Sequence, residues 1–169
     1  LITRVQFRHT TSATSPWPGA DSTVNDYEIW LGKSPLTPGT ISTTMAANLQ
    51  SMVRVRDAAW TMRAGVYPGG GALGSTPEGW GPVIQFTTPY VYTGGVLALD
   101  IQSTGGALPA TSADTQANSV SAAGVTSTLA NAVGGFAGAV VARLSFLPPT
   151  TSPYGDSVTK IYAIRQFAD

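Results

Sequence analysis

His9 is the sole imidazole of the chain and there is no cysteine, so acid–base and nucleophilic chemistry have few parts to work with. Without a second histidine or any thiolate, neither a His-rich or thiolate zinc site nor a Cys–His pair can be assembled. A Ser-His-Asp triad would need a positioned nucleophile, and no G-x-S-x-G turn occurs. His9 therefore reads as a loop residue just beyond a strand, and the chain as non-enzymatic. The nine carboxylates are scattered, except that Asp21, Asp26 and Glu28 crowd one loop and strand start. Hard oxygen donors this close could hold Ca²⁺, with Asn25 or backbone carbonyls filling the shell. The competing reading is a pair of Asx turns, because the spacing matches no EF-hand loop. Calcium is the one cofactor expectation.

Trp17, Trp30, Trp60 and Trp80 carry the largest apolar surfaces in the sequence. Exposed and coplanar, Trp17, Trp30 and Trp80 would stack on sugar faces or line an interface. Buried, Trp17 and Trp80 would plug the ends of a β-structure, a reading favoured by the flexible glycines on either side of Trp80. The PGGG run at 68–71 lacks the lysine and helix of a phosphate loop, so no nucleotide site is expected.

Positioning any of these groups falls to strands. The 169 residues fit one domain, 1–169, and 19 Gly, 12 Pro, 15 Ser and 22 Thr disfavour long helices. Hydrophobic residues at 43% suffice for a core, whereas charged residues reach only 11% against about 25% in an average domain. Basic and acidic residues cancel to a formal charge of +0, which leaves no electrostatic footprint for nucleic acid or an anionic membrane surface. The longest weakly polar run, 132–142, is too short and glycine-rich to span a bilayer, so no membrane insertion is expected. No basic segment followed by an apolar stretch opens the chain, so a signal peptide is expected to be absent or already removed.

Period-two alternation marks the strands. Val5 and Phe7, with Thr3, oppose Arg4, Gln6 and Arg8. Tyr27, Ile29 and Leu31 oppose Glu28 and Trp30. Val53 and Val55, followed after Asp57 and Ala58 by Trp60 and Met62, predict a hairpin. Residues 41–50 offer the one place for a short helix. Ile84 and Phe86 form a further strand interrupted by Pro89, and a turn at Gly94 and Gly95 leads to Leu97, Leu99 and Ile101. Residues 103–128 form a Ser/Thr/Ala/Gly excursion with little to bury. Strands are expected again at 137–147 and at 158–167, the latter with large apolar residues on both faces. Several short strands with Gly/Pro-rich connections predict an all-β, antiparallel β-sandwich of jelly-roll or immunoglobulin-like type.

The runs ITRVQFR at 2–8, WPGADSTVNDYEIWLGKS at 17–34 and GWGPVIQFTTPYVYTGGVLALDI at 79–101 resemble secreted bacterial β-sandwich proteins that often end in a PEP-CTERM sorting signal. The resemblance covers about the first 100 positions and implies export and an extracellular matrix or cell-surface setting. The Pro-Glu-Pro motif, apolar span and basic end of that family do not follow Asp169, so the chain is expected to be a processed product or a fragment.

These features predict a structural subunit that binds copies of itself in a filament or tube, with a carbohydrate-binding module of an exopolysaccharide matrix as the alternative. Near-zero net charge favours association, and sheet edges not blunted by charge invite strand addition. The expected contact lies within 129–169, through Ile161, Tyr162, Ile164 and Phe167, or along the opening strand at 1–8.

Overall fold

The computed structural model describes residues 1–9, 15–37, 40, 42, 44–69, 79–104, 115–121, 136–140, 142–147 and 161–163. Nine strands follow in chain order: β1 (Ile2–Phe7), β2 (Ser22–Ser34), β3 (Gln50–Met62), β4 (Ile84–Tyr90), β5 (Val96–Thr104), β6 (Thr115–Ser121), β7 (Phe136–Val140), β8 (Ala142–Phe146) and β9 (Ile161–Ala163). A 3₁₀ turn, Met45–Asn48, precedes β3. No described helix is long and apolar enough to cross a membrane.

The strands make antiparallel sheets in the orders β4-β1-β8-β9 and β3-β2-β5, with a separate ribbon β6-β7. One core joins the two larger sheets. Ile2, Val5, Ile84, Phe86, Tyr90 and Leu144 from the first meet Val24, Tyr27, Ile29, Leu31 and Val55 from the second. Phe7, Trp60, Leu97, Leu99 and Phe146 pack around them. The Thr87 hydroxyl on β4 donates to the Val55 carbonyl on β3 at 3.0 Å, so a polar stitch supplements the apolar contact. The chain is thus all-β, in an arrangement compatible with a sandwich, and inward side chains alternate with outward polar ones as such packing requires.

Bulges decide which residues face the core. The β1 register shifts between Ile2 and Arg4 against both neighbours. Ile2 thereby joins Val5 in the core, both fully buried, and Thr3 occupies the irregularity with its hydroxyl directed at the Ser145 carbonyl. On β2 a shift between Val24 and Tyr27 sends both of those inward although they are three apart.

Several expected elements take another form. Residues 53–62 are one continuous strand, and the turn expected near Asp57 is replaced by register shifts; β3 remains paired with β2 along its length because a bulge absorbs an extra residue without reversing the chain. The expected strand at 137–147 is two strands, β7 and β8, in different sheets. Pro89 lies inside β4, tolerated because β4 is an edge strand and proline removes no ladder bond on the outer side. Within the 103–128 excursion, Ser103 and Thr104 end β5 and Thr115–Ser121 form β6. Of the terminal strand only Ile161–Ala163 is described, paired to β8 through Ser145, Leu144 and Arg143. Ile164 and Phe167 lie outside the described residues.

Candidate functional site

Three clusters gather the residues with chemistry, and each is set by a strand. The first lies on the outer face of β2 and β3. Glu28 stands opposite Asp57 and Trp30 opposite Arg54 in the ladder. The Arg54 guanidinium reaches Glu28 at 3.1 Å and Asp57 at 2.9 Å, and lies 5.6 Å from the centre of the Trp30 ring. Trp30 Nε1 donates to the other Glu28 oxygen at 2.7 Å. Asp26 completes an acidic trio with Glu28 and Asp57 whose oxygens lie within 4.8 Å of one another. Hard oxygen ligands at that spacing are the kind that could hold calcium, but Arg54 already bonds two of the three, so a cation would compete with a fixed guanidinium.

The calcium grouping expected from sequence is therefore rearranged. Asp21 is engaged elsewhere: its carboxylate accepts from the Ala64 N–H at 2.8 Å and from Arg63 at 2.5 Å. These bonds hold its carboxyl below the usual value, the Ala64 amide contributing most. Asp57, distant in sequence and brought in by strand pairing, stands beside Asp26 and Glu28 instead.

The second cluster gathers just beyond the end of β1. Trp17 and Tyr67 exchange backbone hydrogen bonds of 2.9 Å in both directions, and their rings lie 5.3 Å apart. His9, 7% exposed, sits 6.2 Å from Trp17 and 6.5 Å from Tyr67. The Trp17-Pro18 peptide is cis. Gly81 presses against Tyr67 so closely that a Cβ there would strike the ring, and its N–H donates to the Phe7 carbonyl at 2.8 Å. Burial pushes the Tyr67 hydroxyl up to about 12. His9, read from sequence as a loop residue just beyond a strand, is buried against Trp17 and Tyr67.

The third cluster covers the opposite side of the same strand end. Trp80 bridges to Arg8, with Arg8 5.3 Å and Arg143 4.4 Å from the centre of its ring. Successive residues of an extended chain point to opposite faces, so Arg8 carries Trp80 on one side and His9 meets Trp17 on the other. Trp60 packs on Tyr27 at 4.7 Å at the margin of the core. Trp17, Trp30 and Trp80 are each half-buried and touch different side chains, Tyr67, Arg54, and Arg8 with Arg143.

The expected assembly strands divide. The opening strand has no free edge, since β1 is bonded to β4 on one side and β8 on the other; a neighbouring subunit cannot pair with it without displacing one of them. Ile161 and Tyr162 lie in β9, the terminal strand of the first sheet. Sequence reasoning identified β5 as a strand but not as the terminal strand of the second sheet. Its signal was present in Leu97, Leu99 and Ile101, but nothing in sequence says which strand is outermost. β5 pairs with β2 in unbroken register from Asp26↔Thr104 to Ser34↔Val96.

Comparison with protein-family profiles, curated proteins and solved structures finds no match.

Proposed function

We propose that the chain is a non-enzymatic structural subunit of an extracellular or cell-surface assembly, associating with copies of itself through strand edges. The observation that carries this reading is that, among the described residues, no strand pairs with the outer edge of β5. Strand edges expose a row of backbone donors and acceptors, and proteins blunt them with lysine, proline, bulges or short length. Edge strand β4 has Pro89, and edge strand β3 has register shifts and three charged residues, Arg54, Arg56 and Asp57. β5 has nine residues, no proline, no bulge and one charge, Asp100. Strand addition would satisfy its outer backbone groups.

We read the connectivity as that of a jelly-roll or immunoglobulin-like sandwich, because the chain changes sheet between β1 and β2, between β3 and β4, and again between β4 and β5. The neutral, Ser/Thr-rich sequence supports an extracellular setting. Carbohydrate binding has less support, since sugar stacking wants rings free on one face and these are half-buried against different side chains. Sedimentation velocity over a wide concentration range, with negative-stain microscopy of the concentrated protein, tests the reading. We expect species larger than 17.4 kDa growing with concentration; monomers throughout would refute it.

A further inference from the structure

We infer that the β5 edge takes the β5 strand of a second copy, antiparallel, about a two-fold axis through Leu99. This rests on the self-association reading and gives it a partner strand and a register. Among the described residues no strand lies on the far side of β5. Its inward-facing side chains are Leu97, Leu99 and Ile101; the first two pack on the core, while Ile101 remains 40% exposed although it stands opposite the fully buried Ile29. An apolar residue on the core side of an outermost strand is covered when another strand continues the sheet.

Self-pairing must keep the apolar face of both copies on the same side, which restricts the axis to pass through a residue, because a one-residue slip moves every side chain to the other face. Four centres give substantial overlap within Val96–Thr104. Centring on Ile101 sets the inward Leu99 against the polar Ser103. Centring on Asp100 sets the two carboxylates directly opposite each other, a destabilising pair. Centring on Ala98 sets Ile101 against Gly95 of the second copy and leaves it uncovered. Centring on Leu99 sets Leu99 against itself, Leu97 against Ile101, Ala98 against Asp100 and Val96 against Gln102. Every inward pair is then apolar, and the two Asp100 carboxylates are diagonal neighbours at roughly 8 Å. Each Asp100 also retains the 2.7 Å bond it accepts from Gln102.

The result is a six-stranded sheet, β3-β2-β5 followed by β5-β2-β3 of the second copy. Such an isologous contact uses the same edge on both chains and closes on itself. It yields pairs, so a filament must be built from these pairs through a further contact on another edge.

The absence of cysteine makes the register directly readable. Residues directly opposite on antiparallel strands have Cα atoms about 4.5–5.5 Å apart, within the range of a disulfide. Under mild oxidation Leu99→Cys should cross-link to itself. A mixture of Val96→Cys and Gln102→Cys should cross-link only between the two variants, and each alone should not. These two positions lie on the outer face, so the core is spared if Leu99→Cys folds poorly. Ile101→Lys, placing a charge opposite Leu97 of the second copy, should weaken pairing in sedimentation by at least about tenfold. If the unsubstituted chain associates but the Val96/Gln102 mixture gives no mixed cross-link, or Ile101→Lys associates equally well, this inference fails and the self-association reading stands. If the unsubstituted chain is monomeric at every concentration, both fail.

Discussion

Tyr27 and Tyr67 lose most of their contact with water on folding, and burial acts on both hydroxyls in one direction. Desolvation raises both, Tyr67 to about 12, because the phenolate is the form that suffers from leaving water. The sign follows. Below about pH 10 both states are neutral, so the full stability is present. Above it the unfolded phenol ionises while the folded one holds its proton, and stability falls until the folded value is passed. We expect the unfolding free energy from urea titration to hold up to about pH 10 and to drop between about pH 10 and 12, by roughly 1 kcal/mol per pH unit for each such phenol. Tyr67→Phe, which keeps the ring against Trp17, should show a smaller drop, read together with phenolate absorbance; an equal drop would refute the assignment. At this scale sequence pointed to the contact of Trp17 with its own chain, because Trp17 sits among Gly and Pro that can fold it inward. It did not disclose the acidic trio, since Asp57 reaches Glu28 only through strand register, a long-range property.

On the elements, alternation identified β1, β2 and β5 with their inward residues, and it failed where the ladder is irregular. Val53 and Val55 share a period-two pattern and seem equivalent by spacing alone, yet Val55 is fully buried and Val53 is 42% exposed. The shift between Ile29 and Trp30 in the β2–β3 ladder falls between their partners Arg56 and Arg54, at Val55. Val55→Ala should therefore cost roughly 1–3 kcal/mol from lost burial and a cavity, and Val53→Ala less than about 0.5 kcal/mol. Urea unfolding of the two variants checks this, and equal costs would place the bulge wrongly. Sheet membership was also hidden: β7 and β8 are separated by one residue yet belong to different sheets, and local propensity is the same for both. Tertiary pairing overrides it.

For the molecule as a whole, neutrality sets how association responds to salt. Interfaces built on opposite charges weaken as ions screen them. An edge contact made of backbone bonds and apolar pairs, with like charges on Asp100 at its margin, should behave in the reverse sense. Raising ionic strength from about 0.05 to 0.5 M should leave the association constant unchanged or raise it modestly; a fall of tenfold, measured by sedimentation, would point to a charge-paired interface. Neutral composition was plain in the sequence, but the edge it leaves unguarded emerged only once the strands had an order.

The position of β1 has a consequence for how the chain acquires its fold. Leu1 and Leu147 are tied at one end of the β1–β8 pairing, the Leu1 nitrogen donating to the Leu147 carbonyl at 2.9 Å and the Leu147 N–H to the Leu1 carbonyl at 2.7 Å. Those residues are 146 apart in sequence. β1 thus waits for a strand that far along the chain, and the central pairing of the first sheet cannot form until β8 has been synthesised. Closing so long a loop before its contacts repay the entropy slows folding, as in other sheets dominated by distant pairings. Until residue 147 is available, Ile2 and Val5 have no β8 to pack beside, and the nascent chain stays uncommitted with its apolar strands exposed.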